Sequence, residues 1–375
     1  MKFLHLADLH IGKKLNDYPL YDDQRFVLNQ ALDLARKEQV DAIVIAGDIY
    51  DSSAPSAEAM DFYDWFLNEL YKLQKPILMV AGNHDSAERL NVASSILKNS
   101  GIHIAAKIED PIPYEDIQDA RFYLLPYFRP SDINHVFGSD CRSFESAMKE
   151  VLSHIQLDEK KCNILVTHQS ILPLGMKIES SGSETSLDID QAGNVGGTET
   201  IDVDLLGQFD YLALGHIHKA QNVAANARYA GALLKYHIKE ANAKRSFTVV
   251  EVQGKDITIH EHPLLLKRDL VILEGSLEDI LSREGHDQDY VHARLLNEET
   301  VDNPFAKLKA KYPYCLGIEY PHINARFEED EQYEDVDQMD KNDLFARFYS
   351  QYGGRDLEEK EKELVKGLFD KEEDA

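Results

Sequence analysis

Two patterns in this 375-residue chain predict an α/β fold. Strongly apolar runs each stop at a short polar motif, and the segments between the first of them carry helical spacing. Continuous β-branched and apolar runs are typical of strands covered on both faces. Strands that alternate with amphipathic helices imply βαβ units with right-handed crossovers. Ligands then collect at the carboxyl ends of the strands, where the loops diverge.

The first strand, Phe3-Leu4-His5-Leu6, runs into Asp8-Leu9-His10. Helical spacing from Asp22 to Glu38 leads to a second strand, Ala42 to Ala46, and to Gly47-Asp48-Ile49-Tyr50-Asp51. A helix from Ser56 to Leu73 precedes Ile77 to Val80 and Gly82-Asn83-His84-Asp85. Two later runs, Asn163 to Val166 and Tyr211 to Leu214, end at Thr167-His168-Gln169 and Gly215-His216-Ile217-His218. The stretch from Gly175 to Thr198, between two of these motifs, is long for a connection and is expected at the rim of a cleft. From Asp269 to Ala325 a small second α/β unit is expected, with strands at Val271-Ile272-Leu273, Tyr290 to Leu295 and Cys315 to Tyr320. The acidic stretch Glu328 to Asp340 reads as a solvated linker, and two short amphipathic helices around Gly353-Gly354 close the chain. Leu344, Phe345, Phe348, Leu364, Val365 and Leu368 would give those helices an apolar surface.

Length and composition bound the alternatives. A chain of this length suggests two or three domains, and 43% apolar residues can build a substantial core. No stretch approaches the roughly 20 apolar residues of a membrane span, and Lys2, Asp8 and His10 interrupt any signal peptide, so a cytosolic protein is expected. Cys141, Cys162 and Cys315 are odd in number and widely spaced, which argues for reduced thiols over a disulfide framework or a thiolate zinc site. The net charge of −27 opposes a nucleic-acid substrate, yet Phe327 to Ala375 alone hold 18 acids against 7 bases. Lys13, Lys14, Arg25, Arg89, Lys235, Lys239, Lys244 and Arg245 could offer local positive surface, although single residues of this kind are usually just solvated.

Carboxylate oxygens, imidazole nitrogens and one amide oxygen at strand ends are the donors that hold two divalent first-row cations. An Asp-x-His or a Gly-Asp alone is commonplace. The set, in this order and context, resembles the calcineurin-like metallophosphoesterases, and within them a DNA nuclease subunit. The likeness extends through Gly12-Lys13, Val195-Gly196-Gly197-Thr198-Glu199, Tyr229-Ala230-Gly231 and Leu234-Lys235-Tyr236. Departures are Leu9, where many relatives carry Trp, and Ala232-Leu233, where Ser-Pro is common; neither position supplies a ligand. The resemblance implies a β-sandwich flanked by helices, with a small α/β capping domain and C-terminal helices. Its domains would be 1–262 nuclease, 263–326 capping and DNA-binding, 327–340 linker, and 341–375 docking helices.

The resemblance also implies roles. Asp8, His10, Asp48 and His218 match the ligands of one metal, and Asp48, Asn83, His168 and His216 those of the other, with Asp48 bridging. Manganese is the metal it suggests. His84 matches the catalytic histidine that protonates the leaving sugar oxygen or stabilises its charge. Asp51 is expected to orient that imidazole, with Asp85 as an alternative. The implied partner is an SbcC-type ATPase with a long antiparallel coiled coil, two copies of each chain assembling on DNA. Phe62, Tyr63, Trp65, Phe66 and Tyr71 are expected mostly in the core, some of them at a homodimer surface. The implied activity is 3′–5′ double-strand exonuclease and single-strand or hairpin endonuclease, acting in DNA repair, replication and recombination. A small-molecule phosphodiesterase and a non-catalytic scaffold are the competing readings. The terminal helices weigh against the first, and the intact ligand set against the second.

Overall fold

A computed structural model describes residues 1–175, 200–297, 301–321, 340–353 and 357–373. The expected rim loop, the Val195–Glu199 motif and nearly all of the acidic linker lie outside the described residues. The chain divides into two compact units. One comprises Met1–Ile272, Gly285–His292 and Tyr312–Leu316; the other comprises Leu273–Glu284, Ala293–Lys311 and Gly317–Ala375.

Two six-stranded sheets form the first unit's scaffold. One runs in the order Asp256–Pro263, Ser246–Gln253, Lys2–Leu6, Ala42–Ala46, Ile77–Val80, Ile102–Ala105, and its last four strands are parallel. The other runs Gln221–Ala224, Ala227–Tyr229, Tyr211–Leu214, Cys162–Thr167, Ala120–Leu125, Tyr114–Ile117, with the middle four parallel.

Side-chain alternation explains why the runs are apolar throughout. Successive residues of a strand face opposite sides, so Phe3, Val44, Leu78 and Val80 meet Phe122, Leu124, Ile164, Val166 and Tyr211 in the core between the sheets. Their neighbours Leu4, Leu6, Ile43, Ile45, Ile77 and Met79 turn outward onto helices. Helix Tyr21–Lys37 meets them with Val27, Leu28, Ala31, Leu32 and Ala35, a stripe at helical spacing. Helix Ala57–Tyr71 adds Phe62 and Phe66, and its first turn is capped by Ser56, which accepts from the Ala59 amide. On the far face, Leu165, Leu212 and Leu214 pack on Ile133, Phe144, Met148 and Val151 of helices Pro130–Phe137 and Phe144–Ser153. The architecture is therefore a β-sandwich flanked by helices.

His5 is the polar exception in the inner layer. Burial and the neighbouring Arg228 push its imidazole down to about 3, so it stays neutral beside the Tyr211 hydroxyl, 3.4 Å away. All three cysteines are free.

Leu270–Gly275, Tyr290–Leu295 and Cys315–Glu319 make a separate three-stranded sheet in that order. The second unit contains helices Leu277–Ser282 and Pro304–Lys311, and Ser276 caps the former by accepting from the Asp279 amide. Its C-terminal helices, Lys341–Gly353 and Glu359–Glu373, meet through Phe345 and Phe369, whose ring centroids are 6.1 Å apart. Leu344 and Leu364 remain exposed on them, while the side chains of Phe348 and Leu368 lie outside the described set. Among the described residues, no helix is long and apolar enough to cross a membrane.

Phe122 is fully buried and meets the Phe3 ring edge-on at 5.2 Å. Phe122→Ala should lower the unfolding free energy by about 3–5 kcal/mol, measured by chemical denaturation, because a cavity between two sheets cannot close.

Candidate metal centre

All five motifs end at one edge of the sandwich, and the loop backbone there is unusual. Asp8 (φ 53°), His10 (φ 44°), Asp48 (φ 50°) and His216 (φ 100°) all adopt positive φ. Non-glycine residues enter this region rarely and at a cost, which tends to be stored where function needs a fixed side chain. The turn directs polar side chains back over the strand ends instead of into solvent.

Three glycines make room for them. A Cβ on Gly82 would lie 2.2 Å from Asp48 Oδ1, one on Gly47 2.3 Å from His168 Nδ1, and one on Gly215 1.8 Å from the Ala46 carbonyl oxygen. Each glycine opens a motif, and none can bear a side chain without displacing a neighbouring group.

Asp8, His10, Asp48, Asn83, His168, His216 and His218 come together by direct approaches. His10 Nε2 lies 3.0 Å from His218 Nε2 and 3.5 Å from Asp48 Oδ2. On the other side of Asp48, His168 Nε2 is 3.3 Å from Oδ2 and 3.0 Å from Asn83 Oδ1, and His216 Nδ1 is 3.2 Å from the same amide oxygen. Asp8 accepts from the His216 amide at 2.9 Å through Oδ1, and its Oδ2 is buried with no hydrogen-bond partner. Ligand atoms of Asp8, His10 and His218, and of Asp8, Asp48 and His168, lie within 4.8 Å of one another.

The donor set fits divalent cations for a reason that can be read from one ring. The Ala46 carbonyl can only accept, so His168 Nδ1, 2.8 Å away, must carry a proton. In a neutral ring Nε2 is then a bare lone pair facing two oxygen lone pairs, and only a positive charge between them removes the repulsion. In the metal-free protein that charge is a proton. Burial works against it, but the Asp48 carboxylate prevails and raises His168 to about 9. His10 and His216 are lowered by burial to about 4 and about 3, so each ring stays neutral with one nitrogen unprotonated. Burial raises Asp8 to about 6.

His84 sits beside this cluster and is partly open to solvent. Its Nε2 is 4.0 Å from Asp48 Oδ2, and its amide donates to Asp48 Oδ1 at 2.9 Å. Asp51 does reach the imidazole, but through its main-chain carbonyl, 2.8 Å from Nδ1. The Asp51 carboxylate points elsewhere, to Lys13 Nζ at 2.7 Å and His10 Nδ1 at 3.3 Å. Asp85 braces the loops by accepting from the amides of Ile49, Tyr50 and Gly82.

Of the supporting residues outside the motifs, Gln24 and Glu240 were not singled out from sequence. Gln24, on helix Tyr21–Lys37, donates to the carbonyls of Leu9 and His10 at 3.1 and 2.7 Å. The Tyr236 hydroxyl donates to the Leu9 carbonyl at 2.9 Å. Glu240 and Arg245 form a buried ion pair at 2.7 Å, and Arg245 also donates to the His218 carbonyl at 2.6 Å. Among the basic residues expected at the surface, Arg245 and Lys235 are instead buried, Lys235 pairing with Asp269 at 2.6 Å. An unpaired cation would not be stable in the core, whereas these have carboxylate partners.

Comparisons with known proteins identify the family. Residues 1–220 match the model of the calcineurin-like phosphoesterase family, and residues 266–352 match that of the type 5 capsule protein repressor C-terminal domain. Two similar proteins are each named as the SbcD subunit of nuclease SbcCD. The one from Staphylococcus epidermidis is 31% identical over 98% of this chain and 98% of its own. The one from Staphylococcus saprophyticus is 30% identical over 95% and 94%. A dimetal phosphatase from Danio rerio matches 70% of this chain and 96% of its own at 14% identity and a TM-score of 0.38. The chain belongs to the calcineurin-like phosphoesterases, and within them to the family of SbcD subunits.

Two outcomes follow. Gly215→Ala should abolish high-affinity divalent-metal binding in calorimetry, since its Cβ would collide with the Ala46 carbonyl and crowd His168. Metal uptake by the unaltered protein should release protons, because His168 holds one up to about 9 and Asp8 one up to about 6. The logarithm of the apparent affinity should rise by about one per pH unit between those values and by about two below the lower one. Titrations in buffers of different ionisation enthalpy read the released protons directly.

Proposed function

We propose that the chain is the DNA nuclease subunit of an ATP-dependent, cytosolic complex with an SbcC-type ATPase. The observation that carries this reading is the placement of His84 beside a buried set of carboxylates and imidazoles and the half-buried Asn83 amide, in a chain whose full-length relatives bear a nuclease name. Asp8, His10, Asp48 and His218 would hold one cation, and Asp48, Asn83, His168 and His216 the other. Manganese is the metal the family resemblance suggests, and the mixed nitrogen and oxygen set would also admit iron, cobalt or zinc. Two such cations, when bound, neutralise phosphate charge and supply a water acidic enough to attack near neutral pH.

The protein's own residues do the rest. His84 commits its Nδ1 proton to the Asp51 carbonyl, so Nε2 is the nitrogen that faces the reacting phosphate. In the protonated ring Nε2 donates to the leaving sugar oxygen as the P–O bond breaks. Asp51 therefore positions His84 through its backbone, and its carboxylate with Lys13 positions His10. The partly open His84 admits a polymer, while the buried ligands keep bulk water from competing for the charge.

Residues 1–262 are read as the nuclease domain, 263–326 as a capping domain that selects DNA, 327–340 as a linker and 341–375 as helices that dock on the ATPase coiled coil. The exposed Leu344 and Leu364 support docking. Exposed Met60 and Tyr71 on helix Ala57–Tyr71 are available for a homodimer within an assembly of two SbcC-type and two SbcD-type chains. The activity read from the family is 3′–5′ degradation of duplex ends and endonucleolytic opening of hairpins, in repair, replication and recombination.

The test offers a labelled duplex and a closed hairpin with manganese or chelator, with and without the partner ATPase. Manganese-dependent cutting should fall ~10²–10⁴-fold in His84→Ala, the range for a lost general acid, with metal content unchanged. Hydrolysis of bis(p-nitrophenyl) phosphate with neither DNA cut, even with partner and ATP, would transfer the assignment to a small-molecule phosphodiesterase.

A further inference from the structure

A cavity of about 580 Å³ lies next to the metal centre, lined by Lys219, Lys239, Lys244 and Arg245 with Glu240 and Glu261. Its position follows from register. Ser246 and Pro263, also on its wall, pair at one end of a hairpin whose first strand is antiparallel to Lys2–Leu6. That end is therefore the carboxyl end of Lys2–Leu6, where Asp8 and His10 stand. Lys219 follows the ligand-position residue His218 directly, and Arg245 bonds the His218 carbonyl.

Its charge is opposite to that of the protein. The chain carries a net −27, yet both acids on this wall are already matched, Glu240 by Arg245 at 2.7 Å and Glu261 by Arg228 at 3.2 Å. Lys239 and Lys244 remain exposed on it. Among the described residues Lys239 and Lys244 have no ion-pair partner, and the buried Arg245 has no acceptor for its Nε–H. Like charges gathered on one concave wall repel one another unless an anion lies between them. The volume falls in the range of sites for small ligands, about 300–1,000 Å³.

We propose that this cavity binds the phosphodiester backbone of the nucleic-acid strand beside the bond that is cut. The proposal rests on the nuclease reading above. It reconciles an acidic chain with a polyanionic substrate by confining attraction to one wall next to the cations. Lysine suits this role because backbone phosphates carry no sequence information and a mobile point charge follows them.

The experiment measures binding of a fluorescein-labelled duplex by anisotropy at several salt concentrations. It uses the manganese-loaded full-length chain in a His84→Ala background, with and without Lys239→Gln and Lys244→Gln. Each lost phosphate contact should flatten the slope of log K against log salt by about 0.9, so the pair should flatten it by about 2 and weaken binding about tenfold or more. With His84 intact, the lysine pair should hydrolyse bis(p-nitrophenyl) phosphate at the parent rate, since that diester needs only the metal centre. Equal duplex affinity and slope in parent and variant would overturn the proposal and leave the nuclease reading standing. Loss of small-diester hydrolysis in the variant would also overturn it, because the lysines would then be supporting the metal centre itself. A parent that neither binds nor cuts duplex while hydrolysing the small diester would remove both readings together.

Discussion

The structure depends on one electrostatic constraint: several lone pairs must converge on a dry point without driving one another apart. Asp48 is the hub, approached by His10 and His168 within 3.5 Å and by His84 at 4.0 Å. Burial and mutual repulsion would scatter such groups in an unconstrained chain, since each loses hydration and gains no partner. Here the scatter is prevented covalently and sterically. Two parallel strand arrays present the groups at a common edge, positive-φ turns aim them inward, and glycines leave them space.

Rigidity behind the site is shared between apolar and polar devices. The inter-sheet core fixes strand positions through large interlocked rings such as Phe3, Phe122 and Tyr211. Main-chain carbonyls of the ligand loops are then held individually, those of Leu9 and His10 by Gln24 and that of His218 by Arg245. Buried ion pairs such as Glu240–Arg245 contribute little net stability once desolvation is counted. What they supply here is a fixed backbone position for an imidazole. That division explains how the site tolerates four residues with unfavourable backbone angles.

Much of this was legible in the sequence because periodicity and position are local properties. The runs at Phe3–Leu6, Ala42–Ala46 and Ile77–Val80 read as strands covered on both faces, and the inner and outer cores show why every residue in them but His5 is apolar. Ser56 marked a helix start, as its cap confirms. The hairpin Ser246–Pro263 was not singled out, because its outer strand Asp256–Pro263 has one polar, half-exposed face and no apolar run. The charged stretch from Lys239 to Arg245 read as solvated surface. Nothing local distinguishes Arg245, whose partners lie in a fold-dependent pocket, from the exposed Lys244 beside it. Asp51 shows the same limit in reverse: its proximity to His84 was expected, but in the fold the carbonyl, and not the carboxylate, makes the contact.

The central claim is that these residues form one shared two-cation centre with Asp48 as its bridge. Electron paramagnetic resonance of the chain titrated with manganese tests it most directly, because ions roughly 3.5–4 Å apart couple magnetically. The account predicts about two ions per chain with a spin-coupled spectrum, retained in His84→Ala and replaced by an uncoupled signal in Asp48→Asn. A single uncoupled ion at saturation in the unaltered protein would contradict it.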